Sequence, residues 1–270
     1  MTNSAFSVPV FATVGDNCVD KYIPLGKASI GGNALNVAVQ LARQGERCTY
    51  FGAVGGDDAG EWTRSALATN GVSVDRLRVL DAPTAYTNLD VDSSGDRIFT
   101  LEEFGACAIY YPSDDDVAAL RQVDHIHIGW FRGAARLRER LAGSGVTFSQ
   151  DVAVNPDSQG LDVAFESVGP SEEHAREALA RLLAAGARVA VVTCGSMGSM
   201  ASDGRTTERT GIRAVDVVET TGAGDTFIAA FLASWKRGHD LRKCLEAGRD
   251  LAAETCTHVG GFPQTLRDFK

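Results

Sequence analysis

The stretch 215–235, VDVVETTGAGDTFIAAFLASW, decides how this chain is read. Its β-branched residues Val215, Val217 and Val218 predict a short buried strand. The pattern breaks at Thr220-Thr221-Gly222-Ala223-Gly224 and resumes over Asp225–Trp235, with Phe227, Ala230, Phe231 and Ser234 at helical spacing. The first N–H groups of a helix lack partners within it and sit at the positive end of its dipole, so a small-residue turn feeding a helix is a seat for phosphate oxygens. Gly222 and Gly224 let the backbone approach an anion without a Cβ in the way. Asp225 then places a carboxylate where an anion should bind. It reads either as a helix-start residue favoured by the dipole or as a base that aligns a hydroxyl against a phosphoryl group.

Toward the N-terminus, the apolar run Val10–Val14 predicts a strand ending at Gly15-Asp16-Asn17. In an open parallel sheet, ligands gather at the C-terminal ends of strands. Asp16 is therefore either a turn residue or an acceptor for two sugar hydroxyls. Gly31-Gly32-Asn33-Ala34-Leu35-Asn36 runs into a helix that ends near Gly45. Asn33 and Asn36 each supply a donor and an acceptor, chemistry suited to a polyol. Residues 18–25 and the pair 84–92 and 97–103, split by Ser93-Ser94-Gly95-Asp96, read as strands, the pair forming a hairpin. From Pro112 onward strands alternate with helices: a strand at 125–129, a helix at 134–142, a strand at 148–152, a helix at 171–185 and a strand at 188–194. Such alternation predicts a parallel sheet with right-handed crossovers.

Two of these runs resemble the signatures of the PfkB (ribokinase-like) family of sugar and nucleoside kinases. TTGAGDTF is similar to the second signature and GGNALNVAVQLARQG to the first, and they lie in family order about 190 residues apart. The resemblance implies a three-layer α/β/α sandwich with a mostly parallel sheet, a small β lid over the sugar, and one kinase domain spanning residues 1–270. It implies that Asp225 is the catalytic base, that the backbone at Gly222, Ala223 and Gly224 stabilises the transferred phosphoryl, and that Gly31, Gly32 and Asn33 line the sugar. Thr193-Cys194-Gly195-Ser196-Met197-Gly198 is similar to the family's strand-end turn beside ATP, so Thr193, Gly195 and Gly198, with Thr221, Gly222 and Gly224, are expected at the nucleotide. Mg²⁺ is expected as a cofactor, reached through water by Glu173 or Glu172, although these glutamates also read as the acidic first turn of a capped helix. Where family members carry Asp before the Thr-Thr pair, this chain has Glu219, which argues against activation by K⁺.

Composition narrows the alternatives. The chain has 270 residues, 44% of them hydrophobic, enough for one sizeable α/β core. A formal net charge of −9 leaves no basic stripe for nucleic acid. No apolar run reaches the roughly 18 residues of a membrane span. The N-terminal residues lack a basic segment leading into a long apolar one, so no signal peptide is expected and the expected location is cytoplasmic. Six scattered cysteines read as reduced thiols, and His125 and His127 share one face of a strand without a third ligand nearby, so zinc is not expected. No G-x-x-x-x-G-K-[ST] occurs, and Phe227 stands where a dinucleotide fingerprint needs its third glycine.

The expected activity is transfer of the γ-phosphoryl of ATP to a sugar hydroxyl. Within the family, Gly15–Asp20 and Gly31–Val39 are similar to members acting on ketosugars that carry an amine-linked amino acid. A lid offering Asp92, Arg97, Glu102 and Glu103 suits such an appendage, with Arg97 on its carboxylate, although the same charges read equally as a solvated hairpin face. Another substrate (ribose, fructose, a nucleoside or a sugar phosphate) and a non-catalytic sugar-binding regulator are the competing readings. An exposed lid edge is a surface through which a homodimer would form.

Overall fold

The computed structural model describes residues 8–91 and 97–269, those at 91 and 97–99 by backbone alone. In chain order the strands are β1 (Val10–Val14), β2 (Cys18–Tyr22), β3 (Lys27–Gly31), β4 (Arg47–Gly55), β5 (Leu77–Leu80), β6 (Tyr86–Val91), β7 (Arg97–Glu103), β8 (His125–Ile128), β9 (Thr147–Asp151), β10 (Val163–Ser167), β11 (Val189–Thr193), β12 (Ser199–Ser202), β13 (Thr207–Thr210) and β14 (Arg267–Asp268). The helices are α1 (Asn33–Arg43), α2 (Asp58–Thr69), α3 (Gly105–Ile109), α4 (Asp114–Leu120), α5 (Ala134–Leu141), α6 (Glu172–Ala184), α7 (Ala223–Lys236) and α8 (Leu241–Thr255).

Alternation along the strands explains the layering. In β1, Phe11 joins one apolar cluster while Ala12 and Val14 join the other; β11 splits the same way, Val189 and Val191 against Ala190 and Val192. The first cluster is completed by residues of α1, α7 and α8, the second by residues of α4, α5 and α6. A sheet apolar on both faces must be covered on both, and the result is three layers. The central sheet has nine strands in the order β13-β12-β11-β10-β9-β8-β1-β4-β5. From β11 to β5 every pairing is parallel, and β12 and β13 turn back antiparallel at one edge. The parallel strands therefore end together, with Gly15, Gly129, Asp151, Ser167 and Cys194 at or just past their C-terminal ends.

The lid strands form a separate five-stranded sheet in the order β14-β3-β2-β6-β7. Strands β2 and β3 are inserted between β1 and α1, which sets Gly31-Gly32-Asn33 at the seam between the two sheets.

One local expectation fails. Residues 211–220 are not a strand, and Val217 and Val218 are 63% and 59% exposed. This segment runs from the edge strand β13 to the start of α7, with no strand beside it to complete a ladder. Its backbone instead bonds the C-terminal end of α8, where the N–H of Val218 and that of Glu219 both reach the Cys256 carbonyl. A β-branched run without a neighbouring strand has nothing to pair with. Strands β3, β5, β10, β12 and β13 are also additions to the sequence reading; they are short, and β5 and β13 are largely exposed.

Candidate active site

The start of α1 and the start of α7 meet. Asn33 Nδ2 donates to Asp225 Oδ1 at 2.7 Å, and Asn36 Nδ2 donates to Asp225 Oδ2, also at 2.7 Å. One helical turn separates the two asparagines, so both amides lie on one face and clamp one carboxylate. Burial pushes the Asp225 carboxyl up to about 7; the Asp151 and Asp16 carboxylates push the same way, and the two amides oppose them. At the turn before α7, Gly222 has φ +74°, and a Cβ there would collide with Gly261 Cα. A Cβ at Gly224, by contrast, would meet nothing within 4 Å, so the first turn of α7 opens onto free space. The Ala223 N–H is turned toward the Thr220 carbonyl at 3.2 Å. The expectation is a free donor there; the N–H groups of Gly224 and Asp225 have no carbonyl one turn earlier inside the helix.

Asp16 ties several elements together. Its Oδ2 accepts the Asn33 N–H at 2.7 Å, and its Oδ1 accepts those of Ala34 at 3.2 Å and Trp130 at 2.8 Å. Helix α1 has glycine at its N-cap and no cap from its own side chains, so Asp16 caps it from across the seam. Burial raises the Asp16 carboxyl, against these three N–H donors. Gly32 has φ +110°, and a Cβ on it would lie 2.6 Å from Asn17 Cα. A Cβ on Gly31 would strike Asp20 Oδ2, so the buried Asp20 carboxylate of β2 adjoins the Gly31-Gly32-Asn33 run.

Several residues of this cleft were missed by sequence reasoning. Asp151, at the end of β9, is pushed up to about 6 by burial, with the Asp16 and Glu166 carboxylates adding to it and the Ala153 N–H opposing. Its place at a strand's C-terminal end was the available signal. Asp20 stood in plain view in the Gly15–Asp20 run. Trp130 stacks on Phe104 with ring centroids 4.0 Å apart, joining the end of β7 to the Asp16 loop. Asn36 Oδ1 is buried and has no hydrogen-bond partner among the described residues, which leaves an acceptor beside Asp225.

The expected nucleotide residues lie farther along the same strand-end edge. Thr193 ends β11, and Gly195–Met197 form a tight turn closed by the Met197 N–H on the Cys194 carbonyl. A Cβ on Gly198 would strike the Thr210 carbonyl, so this turn packs on β13. Met197 in this turn is exposed, as are Ile212, Val217 and Val218 on the segment that leads to α7. At the start of α6, Glu172 is held by Arg176 at 2.6 Å and Arg209 at 3.5 Å, and these contacts lower its carboxyl; Glu173 is exposed. Glu219 is 4% exposed, its carboxylate accepting from Tyr22 OH at 3.3 Å and the Gly260 N–H at 3.0 Å. Asp92 and the Arg97 side chain lie outside the described residues; Glu102 and Glu103 are exposed on β7.

The profile of a family described as "pfkB family carbohydrate kinase" matches residues 17–141 and 154–265. The chain is 35% identical over 258 residues to fructoselysine 6-kinase of Escherichia coli, covering 93% of this chain and 98% of that protein. It is 30% identical over 270 residues to a fructosamine kinase of Bacillus subtilis, covering 94% and 95%. Among solved structures it superposes on Arabidopsis thaliana ribokinase complexed with ribose and ATP with a TM-score of 0.83, at 23% identity and covering 94% of each chain.

Proposed function

Since the chain belongs to the pfkB family of carbohydrate kinases, we propose that it transfers the γ-phosphoryl of ATP to a hydroxyl of a fructosamine-type ketosugar, with Asp225 as the base. The observation that carries this reading is the half-buried Asp225 carboxylate, clamped by Asn33 and Asn36 beside the open first turn of α7. The acceptor oxygen forms a bond to the γ-phosphorus as the bond to the ADP oxygen breaks, and its proton passes to Asp225. The N–H groups of Gly224 and Asp225 face the oxygens over which charge spreads. Because that transition state is loose, most of the work is positioning and electrostatics.

Mg²⁺, when bound with the nucleotide, neutralises phosphate charge. Mg²⁺ keeps several waters and is held mainly by phosphates. Glu173, exposed at the start of α6, is the acidic residue we assign to that water shell, since arginines occupy Glu172.

The fructosamine assignment draws on the two relatives and on charge. Asp16, Asp151 and Asp225 share one cleft, and Glu103 precedes the Phe104 ring stacked on Trp130. This concentration of carboxylates favours a substrate with a secondary ammonium over a neutral sugar. The open β7 edge, with exposed Leu101, is the surface proposed for subunit pairing. A coupled ADP-release screen of fructose–amino acids against fructose, ribose, nucleosides and sugar phosphates tests the substrate. The expected result is the highest kcat/KM on a fructose–amino acid; a higher value on any of the others rejects the assignment.

A further inference from the structure

Behind Asn33 runs a chain of buried side chains that no step above uses. Asn33 Oδ1 lies 3.1 Å from His127 Nε2, and His127 Nδ1 lies 2.9 Å from Ser149 Oγ. Ser149 Oγ is 2.8 Å from His125 Nε2, and His125 Nδ1 is 2.8 Å from Thr147 Oγ1. Lys236 Nζ closes the chain on Thr147 Oγ1 at 3.3 Å and on the Asp124 carbonyl at 2.9 Å. Both histidines are fully buried, pointing from β8 to the face covered by α1 and α7, with Phe11 and Trp235 edge-on to His125.

The proton positions follow in sequence. An ionised Asp225 only accepts, so the Asn33 amide turns its Nδ2 to Asp225 and its Oδ1 to His127. His127 must then donate from Nε2. Burial pulls its imidazole down to about 3, so it is neutral and its Nδ1 accepts the Ser149 hydroxyl proton. Ser149 has no second proton to give, so it accepts from His125 Nε2. Burial also holds His125 well below its ordinary value, and the Lys236 charge adds to that. The Thr147 hydroxyl, which also reaches the Asp124 carbonyl at 2.9 Å, must turn its proton to His125 Nδ1, while Lys236 donates to both Thr147 and that carbonyl. Every link then has one donor and one acceptor, and the direction is set by the carboxylate at the Asn33 end. Reversing it would present Asn33 Oδ1 to an ionised Asp225, two acceptors face to face.

We infer that His127 is a positioning residue for phosphoryl transfer: with Ser149 and His125 behind it, it holds the Asn33 amide in the orientation that clamps Asp225 in its ionised, proton-accepting form. The inference rests on Asp225 being the base. Asp225 is faced by Asp16 from the loop after β1, by Asp151 from β9, and by the neutral amides of α1. A lost amide donor therefore leaves two carboxylates opposed by one amide, and its proton affinity rises.

His127→Leu removes the donor. The expected result is a kcat reduced by roughly tenfold with KM for ATP unchanged, and an acidic limb of the kcat/KM profile moved up by about one pH unit, the usual worth of a hydrogen bond to a charged group. His127→Gln, whose amide still donates to Asn33, should recover most of the loss. A folded His127→Leu enzyme with wild-type kcat and acidic limb overturns the inference. The wild-type protein offers a test without substitution, which decides the matter should His127→Leu not fold. Ring ¹⁵N shifts should show His127 with its proton on Nε2, and a proton on Nδ1 overturns the chain. Asp225→Asn separates the two ideas: undiminished turnover there rejects the base, while a slow Asp225→Asn with an unaffected His127→Leu rejects only the relay.

Discussion

The side of the cleft proposed for the acceptor directs nearly every polar group at a partner, whereas the side proposed for the nucleotide leaves apolar surface open. On the first, Asp16, Asn33, Asn36 and Asp225 are tied together by hydrogen bonds of 2.7–3.2 Å before any substrate arrives. On the second, Met197 in the turn after β11, and Ile212, Val217 and Val218 on the segment leading to α7, stand 45–63% exposed. The contrast suits what each side is proposed to handle. A polyol and a proton require fixed donors and acceptors, since a misdirected lone pair costs as much as a missing one. A purine base is a flat apolar face, and exposed aliphatic side chains suffice to hold it.

The comparison breaks most sharply at Asp225. Asp225→Asn should lower kcat by roughly 10²–10⁴-fold, the worth of a positioned base, with little change in KM for ATP. Single-turnover kinetics check this, and turnover close to wild type would remove Asp225 from the chemistry.

The pH dependence is next in size. With the Asp225 carboxyl pushed up to about 7, the fraction able to accept a proton should fall about tenfold per pH unit below that value. The stability sign is opposite. A carboxyl whose folded-state value lies above its unfolded value binds its proton more tightly when folded, so between about 7 and about 4 this group favours the fold as pH falls. Activity should therefore be lost below neutrality without unfolding. A rate profile recorded beside a thermal melt checks it, and a rate flat from pH 7 to 5 contradicts it.

On the open side the effects are smaller. Val217→Ser with Val218→Ser should raise KM for ATP by roughly three- to tenfold, about 1 kcal/mol of apolar contact, and leave the acceptor KM alone. Because both side chains are exposed, the melting temperature should not move. An unchanged KM for ATP would place the base elsewhere.

The smallest expected effect is that of K⁺. Glu219 spends its carboxylate on Tyr22 and the Gly260 N–H, so replacing a large inert cation by K⁺ should change the rate by less than about twofold. A several-fold rise would show that this carboxylate exchanges its partners for an ion.

The amino-acid sequence by itself determined the alternation of strands and helices, the two glycine-rich helix starts and the carboxylate beside the second of them. These are local properties: a period of apolar residues, a left-handed φ that favours glycine at Gly222, a helix N-terminus with spare N–H groups. Valines 215, 217 and 218 show the limit of that reading, because a β-branched run becomes a strand only where a neighbouring strand completes its ladder. Only the tertiary structure decided that Asp16 caps α1 from another element, that both asparagines turn toward Asp225, and that two histidines of β8 stand in line behind them. Each depends on which strands lie side by side in the order β9-β8-β1 and on which helices cover that face. A hydrogen bond between residues 94 or 192 positions apart leaves no period in the sequence, since it is set by the packing of whole elements.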